Sequence, residues 1–272
     1  LIGSIPCRTA LSKSTLPGLD YSLNPYWGCG HGCRYCYVPD VLRGEELHLK
    51  WGELVRVKEG IEEVLRREVE VKKRGTVGVS TVTDPYQPLE SKTGLTRRCL
   101  EILRSAGFRV SIQTKSGLVL RDRDLLGPGF DVGVTITTMD ESLSRLLEPG
   151  ASPPGTRAQV LEELSGRVET WLFLGPVIPH VNDDEESLRE IIRLARRTQS
   201  LLLFDWFRPK PWATQRLLST LEGRFEVNEE LLRGREWRDR VLKRVQNICR
   251  ELGVRFQPAF PDHRALNDSA RT

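Results

Sequence analysis

Short apolar runs rich in Val, Ile, Thr and aromatic residues alternate with segments of helical periodicity along most of this 272-residue chain, and that alternation limits the possible folds more than any other feature. The runs at 77–81, 109–114, 132–137, 170–177 and 201–204 have the length and β-branched content of buried strands. Segments 54–73, 95–105, 141–147, 156–164 and 185–197 carry apolar residues at helical spacing. Gly75, Gly107, Gly166 and the Gly127-Pro128-Gly129 run stop helices or turn the chain between them. Strand and helix in alternation predict a parallel sheet covered by helices, an α/β fold. The length suffices for one such domain, and no internal repeat or low-complexity linker divides it.

Three of the six cysteines fall in one loop, Cys29-Gly30-His31-Gly32-Cys33-Arg34-Tyr35-Cys36, a C-x3-C-x2-C spacing. A 4Fe-4S cube is normally held by four thiolates, so a compact loop with three would leave one iron open to another ligand. Zinc is the competing reading, because His31 could supply a fourth ligand, although such sites usually pair two C-x2-C units. Few cysteines outside the loop point to a reducing compartment, the cytoplasm. No apolar run approaches the length of a membrane span and no signal peptide is visible, so no membrane partner is expected.

Further phrases surround the loop. Tyr21-Ser22-Leu23-Asn24-Pro25-Tyr26-Trp27-Gly28 leads into it, and Thr83-Asp84-Pro85-Tyr86-Gln87-Pro88-Leu89-Glu90 and Leu95-Thr96-Arg97 follow. Then come Thr114-Lys115-Ser116, Leu120-Arg121-Asp122, Glu148-Pro149-Gly150 with Arg157, and Pro176-Val177-Ile178-Pro179 with Asn182-Asp183. With Tyr35 at the aromatic place of a C-x3-C-x-aromatic-C loop, the chain resembles the radical S-adenosylmethionine (SAM) superfamily, and within it the spore photoproduct lyase-like family. The likeness covers about residues 5–210.

The resemblance implies a partial (β/α)6 TIM-like barrel of the radical SAM type, one domain over 1–272. Its core would span about 20–210, with a basic, partly helical extension over about 211–272. It implies a 4Fe-4S cluster on Cys29, Cys33 and Cys36, with SAM on the open iron. One electron from a ferredoxin- or flavodoxin-like donor would then release a 5′-deoxyadenosyl radical for hydrogen abstraction. Among the cofactor contacts it implies, Tyr35 stands in the loop, and Thr81, Thr83 and Asp84 face the methionine amino group. Lys115 stands near the methionine carboxylate, and Thr135 and Thr137 on the ribose side. The residues themselves also allow ordinary readings: strand threonines, a solvated lysine, an Asp-Pro turn at Asp84-Pro85. Glu90 carries the same choice between acid/base chemistry and structure, and Glu148 with Arg157 fits an internal ion pair or a ligand contact.

One departure bears on mechanism. Where spore photoproduct lyase has the cysteine that returns a hydrogen atom to the product radical, this chain has Thr81, whose O–H bond is too strong for that step. Cys99 and Cys249, at helical spacing, read as core. Cys7 is the candidate second functional thiol, because Arg8 beside it would favour the thiolate.

Net charge is only +4, but residues 208–250 hold eleven Lys/Arg against six Asp/Glu, interleaved with Trp212, Phe225 and Trp237 and preceded by Trp206 and Phe207. Such a segment could meet phosphates and stack on unpaired bases of DNA or RNA, or form an amphipathic helix with Trp237, Val241, Val245 and Ile248 inward. Three functions remain open: a radical SAM enzyme on nucleic acid, the same radical step on a peptide or small metabolite, and a noncatalytic zinc-bearing nucleic-acid module.

Overall fold

The computed structural model describes residues 2–42 and 44–260; residues 261–272 of the expected extension lie outside the described residues. Six parallel strands follow one another in space as in sequence: Tyr21–Leu23, Thr76–Val79, Arg109–Thr114, Phe130–Thr135, Glu169–Val177 and Leu201–Trp206. Leu11–Lys13 lies antiparallel beside the first and Phe256–Pro258 parallel beside the sixth. These two strands are the edges of the eight-stranded sheet, which therefore stays open, the partial barrel expected.

Alternation along the strands makes the two faces. Val77, Val79, Val110, Ile112, Val132, Val134, Leu172 and Leu174 are fully buried beneath the helices. Intervening Gly78, Ser111, Gln113, Asp131, Trp171 and Phe173 line a cavity of about 630 Å³ on the concave side. Helices Leu95–Ser105, Pro154–Leu164 and Glu185–Arg197 bury Leu100, Leu161 and Ile192 against the outer face. Each such side chain contributes about 1.5–3 kcal/mol. Helix Arg235–Leu252 buries Trp237, Val241, Val245 and Ile248, so its apolar stripe is core. Among the described residues, no helix is long and apolar enough to cross a membrane.

Segment 54–73 is not one helix. Val55–Glu59 is a strand, parallel to Ile2–Pro6 and antiparallel to Tyr26–Trp27, and Gly60 at φ 72° turns it into helix Ile61–Val71. Leu54, Val57 and Ile61 keep a helical spacing while Val55 and Val57 keep a strand period, and partners distant in sequence decide between them. The second strand stops at Val79, two residues early. Ser80 takes φ 64°, and the Asn24 carboxamide oxygen accepts the amides of Thr81 and Val82, each at 3.0 Å.

Candidate active site

The three-cysteine loop follows the first strand and is gripped from several sides at the C-terminal ends of the barrel strands. Gly30 N donates to Gln87 Oε1 at 2.8 Å, and Gln87 Nε2 donates back to Gly28 O at 3.3 Å. Trp51 Nε1 donates to Cys33 O at 3.1 Å. Arg34 N bonds Leu147 O at 2.8 Å and Gly150 N bonds His31 O at 2.9 Å, tying the loop to the segment after the fourth strand. A Cβ on Gly150 would fall 2.2 Å from Gly30 O, so only glycine admits this approach.

All three thiols are free, and each is buried or half-buried. Cys29 and Cys36 pack with Val38, Leu47 and Trp51, while Cys33 packs with Tyr35, Leu147 and Ile178. Burial pushes the Cys33 thiol up to about 12 and raises Cys29 and Cys36 as well, with Cys33 and Cys36 each adding to the rise at Cys29. The thiols are therefore close enough to act on one another, and a metal that bound them would have to displace their protons. Among the described residues, no three His, Cys, Asp or Glu side chains are gathered around one point that could hold a single metal ion. A cube would take the three thiolates at separate iron corners and leave the fourth corner open. His31 faces Asp84: it is 2% exposed, with Nδ1 3.4 Å from Asp84 Oδ2.

Asp84 is 7% exposed and fully engaged. Oδ1 accepts from Thr114 Oγ1 at 2.7 Å and Tyr86 N at 2.9 Å, and Oδ2 accepts from Lys115 N at 2.8 Å. Burial would raise its pKa, but His31 and these donors outweigh it and hold the carboxyl at about 2. The Lys115 side chain is left facing the cysteines. Its Nζ lies 5.8 Å from the Tyr35 ring centre, and among the described residues it has no ion-pair partner. Burial would lower its pKa, but Cys33, Glu148, Asp84 and Cys36 raise it. A cation so placed could receive a ligand carboxylate.

Glu148 and Arg157 form an internal ion pair of 2.5 Å, with both side chains at most 1% exposed. Tyr35 Oη donates to Glu148, and Thr137 Oγ1 donates to the same carboxylate at 2.8 Å. Tyr35 and Thr137 thus form the wall behind the loop. Thr135 Oγ1 accepts from Gln113 Nε2 at 3.2 Å, and Thr83 Oγ1 donates to Gly28 O at 2.6 Å. Thr81 lines the cavity. Glu90 is fully buried and accepts from Thr96 N and Arg121, a structural arrangement.

Cys7 is not brought to this site. Its thiol is raised by burial, the opposite of the effect expected from Arg8, and Lys58 and Glu68 are the charges acting on it. It packs half-buried against the main core, where Cys99 and Cys249 are buried as anticipated. The basic C-terminal segment is only partly available to bases, because Phe207 and Trp237 are 2% and 7% exposed. Sequence reasoning assigned no role to Asn24, Gln87, Tyr37 or Arg216. Asn24 and Gln87 lay within phrases noted for resemblance. Tyr37 Oη donates to Thr81 O at 3.0 Å beside the cavity.

Comparison with known proteins agrees with this architecture. Residues 23–194 match the radical SAM superfamily. An uncharacterized protein of Methanocaldococcus jannaschii is 31% identical over 189 residues, which are 68% of this chain and 71% of that protein. An uncharacterized protein of Mycobacterium tuberculosis is 30% identical over 204 residues, 68% of this chain and 58% of that protein. In structure, spore photoproduct lyase complexed with dinucleoside spore photoproduct superposes with a TM-score of 0.72 at 14% identity, covering 95% of this chain and 81% of that one. A radical SAM methyltransferase of Kitasatospora setae gives 0.52 over 71% of this chain and 36% of that one, also at 14% identity. The identities to solved structures speak for the fold alone; the sequence match spans most of the chain, and the protein belongs to the radical SAM superfamily.

Proposed function

We propose that Cys29, Cys33 and Cys36 hold a 4Fe-4S cluster whose open iron takes SAM, and that the enzyme abstracts hydrogen from a nucleic acid. The observation that carries the cofactor reading is three free thiols of one loop, buried or half-buried, beside the Lys115 ammonium, which has no ion-pair partner among the described residues. When bound and reduced by one electron from a ferredoxin- or flavodoxin-like donor, cluster and SAM supply a 5′-deoxyadenosyl radical. Lys115 would pair with the methionine carboxylate. The backbone of 81–83, anchored by Asn24, would meet the amino group, and Thr135 would stand on the ribose side. Asp84 would orient Lys115 rather than touch the ligand. The apolar packing around Cys29, Cys33 and Cys36 would keep water and quenchers off the reacting centre. Such chemistry calls for a reducing, cytoplasmic setting.

Support for a nucleic-acid substrate comes from the cavity rim. Arg208 lies 5.3 Å from the ring centres of both Trp206 and Phe260, and Phe260 lines the cavity with Arg255 and Trp171. Cations interleaved with planar rings suit phosphates and unstacked bases. The fold likeness to a lyase complexed with a dinucleoside photoproduct points the same way. Because Thr81 stands where that lyase uses a cysteine, the final hydrogen transfer would differ.

Anaerobic reconstitution with iron and sulfide, then dithionite and SAM, tests the reading. 5′-Deoxyadenosine should form with the natural chain and vanish with Cys33→Ala. A chain that retains one zinc and assembles no cluster would overturn it. Binding of single-stranded DNA or RNA that does not weaken as salt rises would overturn the substrate class.

A further inference from the structure

The segment beyond the sixth strand brings one of its arginines onto the cysteine loop. Arg216, on helix Pro211–Leu221, donates from Nη2 to Cys36 O at 2.5 Å, and its Nη1 lies 3.0 Å from His48 Nδ1. The His48 ring is stacked on Trp212, centres 4.5 Å apart and planes 12° from parallel. Asp40, just past the loop, accepts from Trp212 N at 2.9 Å and Ala213 N at 3.1 Å, fixing the first turn of the helix beside it. The guanidinium is half-buried, and its Nε has no hydrogen-bond partner. Among the described residues no carboxylate forms an ion pair with it. Arginine stays charged in such surroundings. A cation partly withdrawn from water and bonded to the backbone of a cysteine puts a positive potential on that sulfur, which the Asp40 carboxylate, acting on both Arg216 and Cys36, opposes only in part.

We propose that Arg216 sets the reduction potential of the cluster, an electrostatic and positioning residue that touches neither SAM nor substrate. The inference rests on the cluster reading above. Adding one electron makes the cluster more negative, so a nearby cation favours the reduced form, and the electron comes from the donor protein or dithionite. Lys115 also acts on Cys36, so two cations bear on that thiol.

The test is a redox titration of the reconstituted full chain followed by electron paramagnetic resonance, without SAM or substrate. With Arg216→Gln, iron and sulfide content should be unchanged while reduction becomes about tenfold less favourable, about 59 mV for one electron. Arg216→Lys should return the midpoint to within about threefold of the natural chain. A fully loaded R216Q with an unmoved midpoint overturns the proposal, as does an R216K shift equal to that of R216Q. If R216Q does not load, His48→Glu decides, because it sets a carboxylate against Arg216: a lowered midpoint supports the proposal and an unchanged one overturns it. Failure of both to load makes Arg216 a clamp only and overturns the electrostatic role. A natural chain that takes up no four-iron cluster sinks the cluster reading itself, an outcome distinct from a loaded variant with an unmoved potential.

Discussion

Asp84 shows how a single carboxylate joins three parts of the site. It receives Thr114 and Lys115 from the end of the third strand, Tyr86 from its own turn, and faces His31 in the cysteine loop. Asp84→Asn would turn an amide against donors, with a cost of about 3 kcal/mol in chemical unfolding at neutral pH. The pH dependence follows from the sign of the shift. The folded carboxyl sits at about 2, below its ordinary value, so its stabilisation is full above about pH 4 and is lost as pH falls toward 2. The stability gap between the natural chain and D84N should therefore shrink between pH 5 and pH 2, and a constant gap would contradict the ionised assignment. Glu148 is the counterpart on the fourth-strand side. Glu148→Gln leaves Arg157 charged in a fully buried place, and urea unfolding should report a loss of about 3–5 kcal/mol. A loss under about 1 kcal/mol would mean that water reaches the pair.

At the scale of elements, the loop after the fourth strand matters because it touches the cysteine loop backbone to backbone. Gly150→Ala would set a Cβ 2.2 Å from Gly30 O and must push it away, so the displaced loop should hold less iron after reconstitution while far-ultraviolet circular dichroism stays unchanged. Normal iron content in G150A would show that the loop can yield. Much of this was legible in the sequence: the strand–helix alternation located the core, and Glu148-Pro149-Gly150 with Arg157 stood out as a phrase. What the phrase does was not legible, because an internal ion pair and a ligand contact call for the same residue types. Val55–Glu59 was missed because Leu54, Val57 and Ile61 keep a helical spacing across it and the deciding partner, Ile2–Pro6, lies far back in the chain. Arg216 was given no role because 180 residues separate it from Cys36, and no local pattern marks such a contact.

Across the whole molecule, the cysteine loop is the meeting point of three regions that the chain visits at different times. The barrel reaches it through Gln87, Asp84 and Gly150, the segment before Val55–Glu59 through Trp51, and the C-terminal part through Arg216. The sheet has its own source of stability in an outer face covered by buried Val, Ile and Leu. If the proposed cluster is held there, its loss should therefore loosen the meeting point and spare the barrel. Hydrogen exchange on chelator-treated and reconstituted protein checks this division. Exchange should speed up over 28–52, 147–152 and 211–221 in the stripped chain, while the strands at 109–114 and 130–135 keep their protection. Uniform loss across the strands would mean that the cysteine loop and barrel unfold as one unit. No change at 211–221 would mean that the C-terminal helix is held by Asp40 and its own packing, with its contact to Cys36 contributing little to its order.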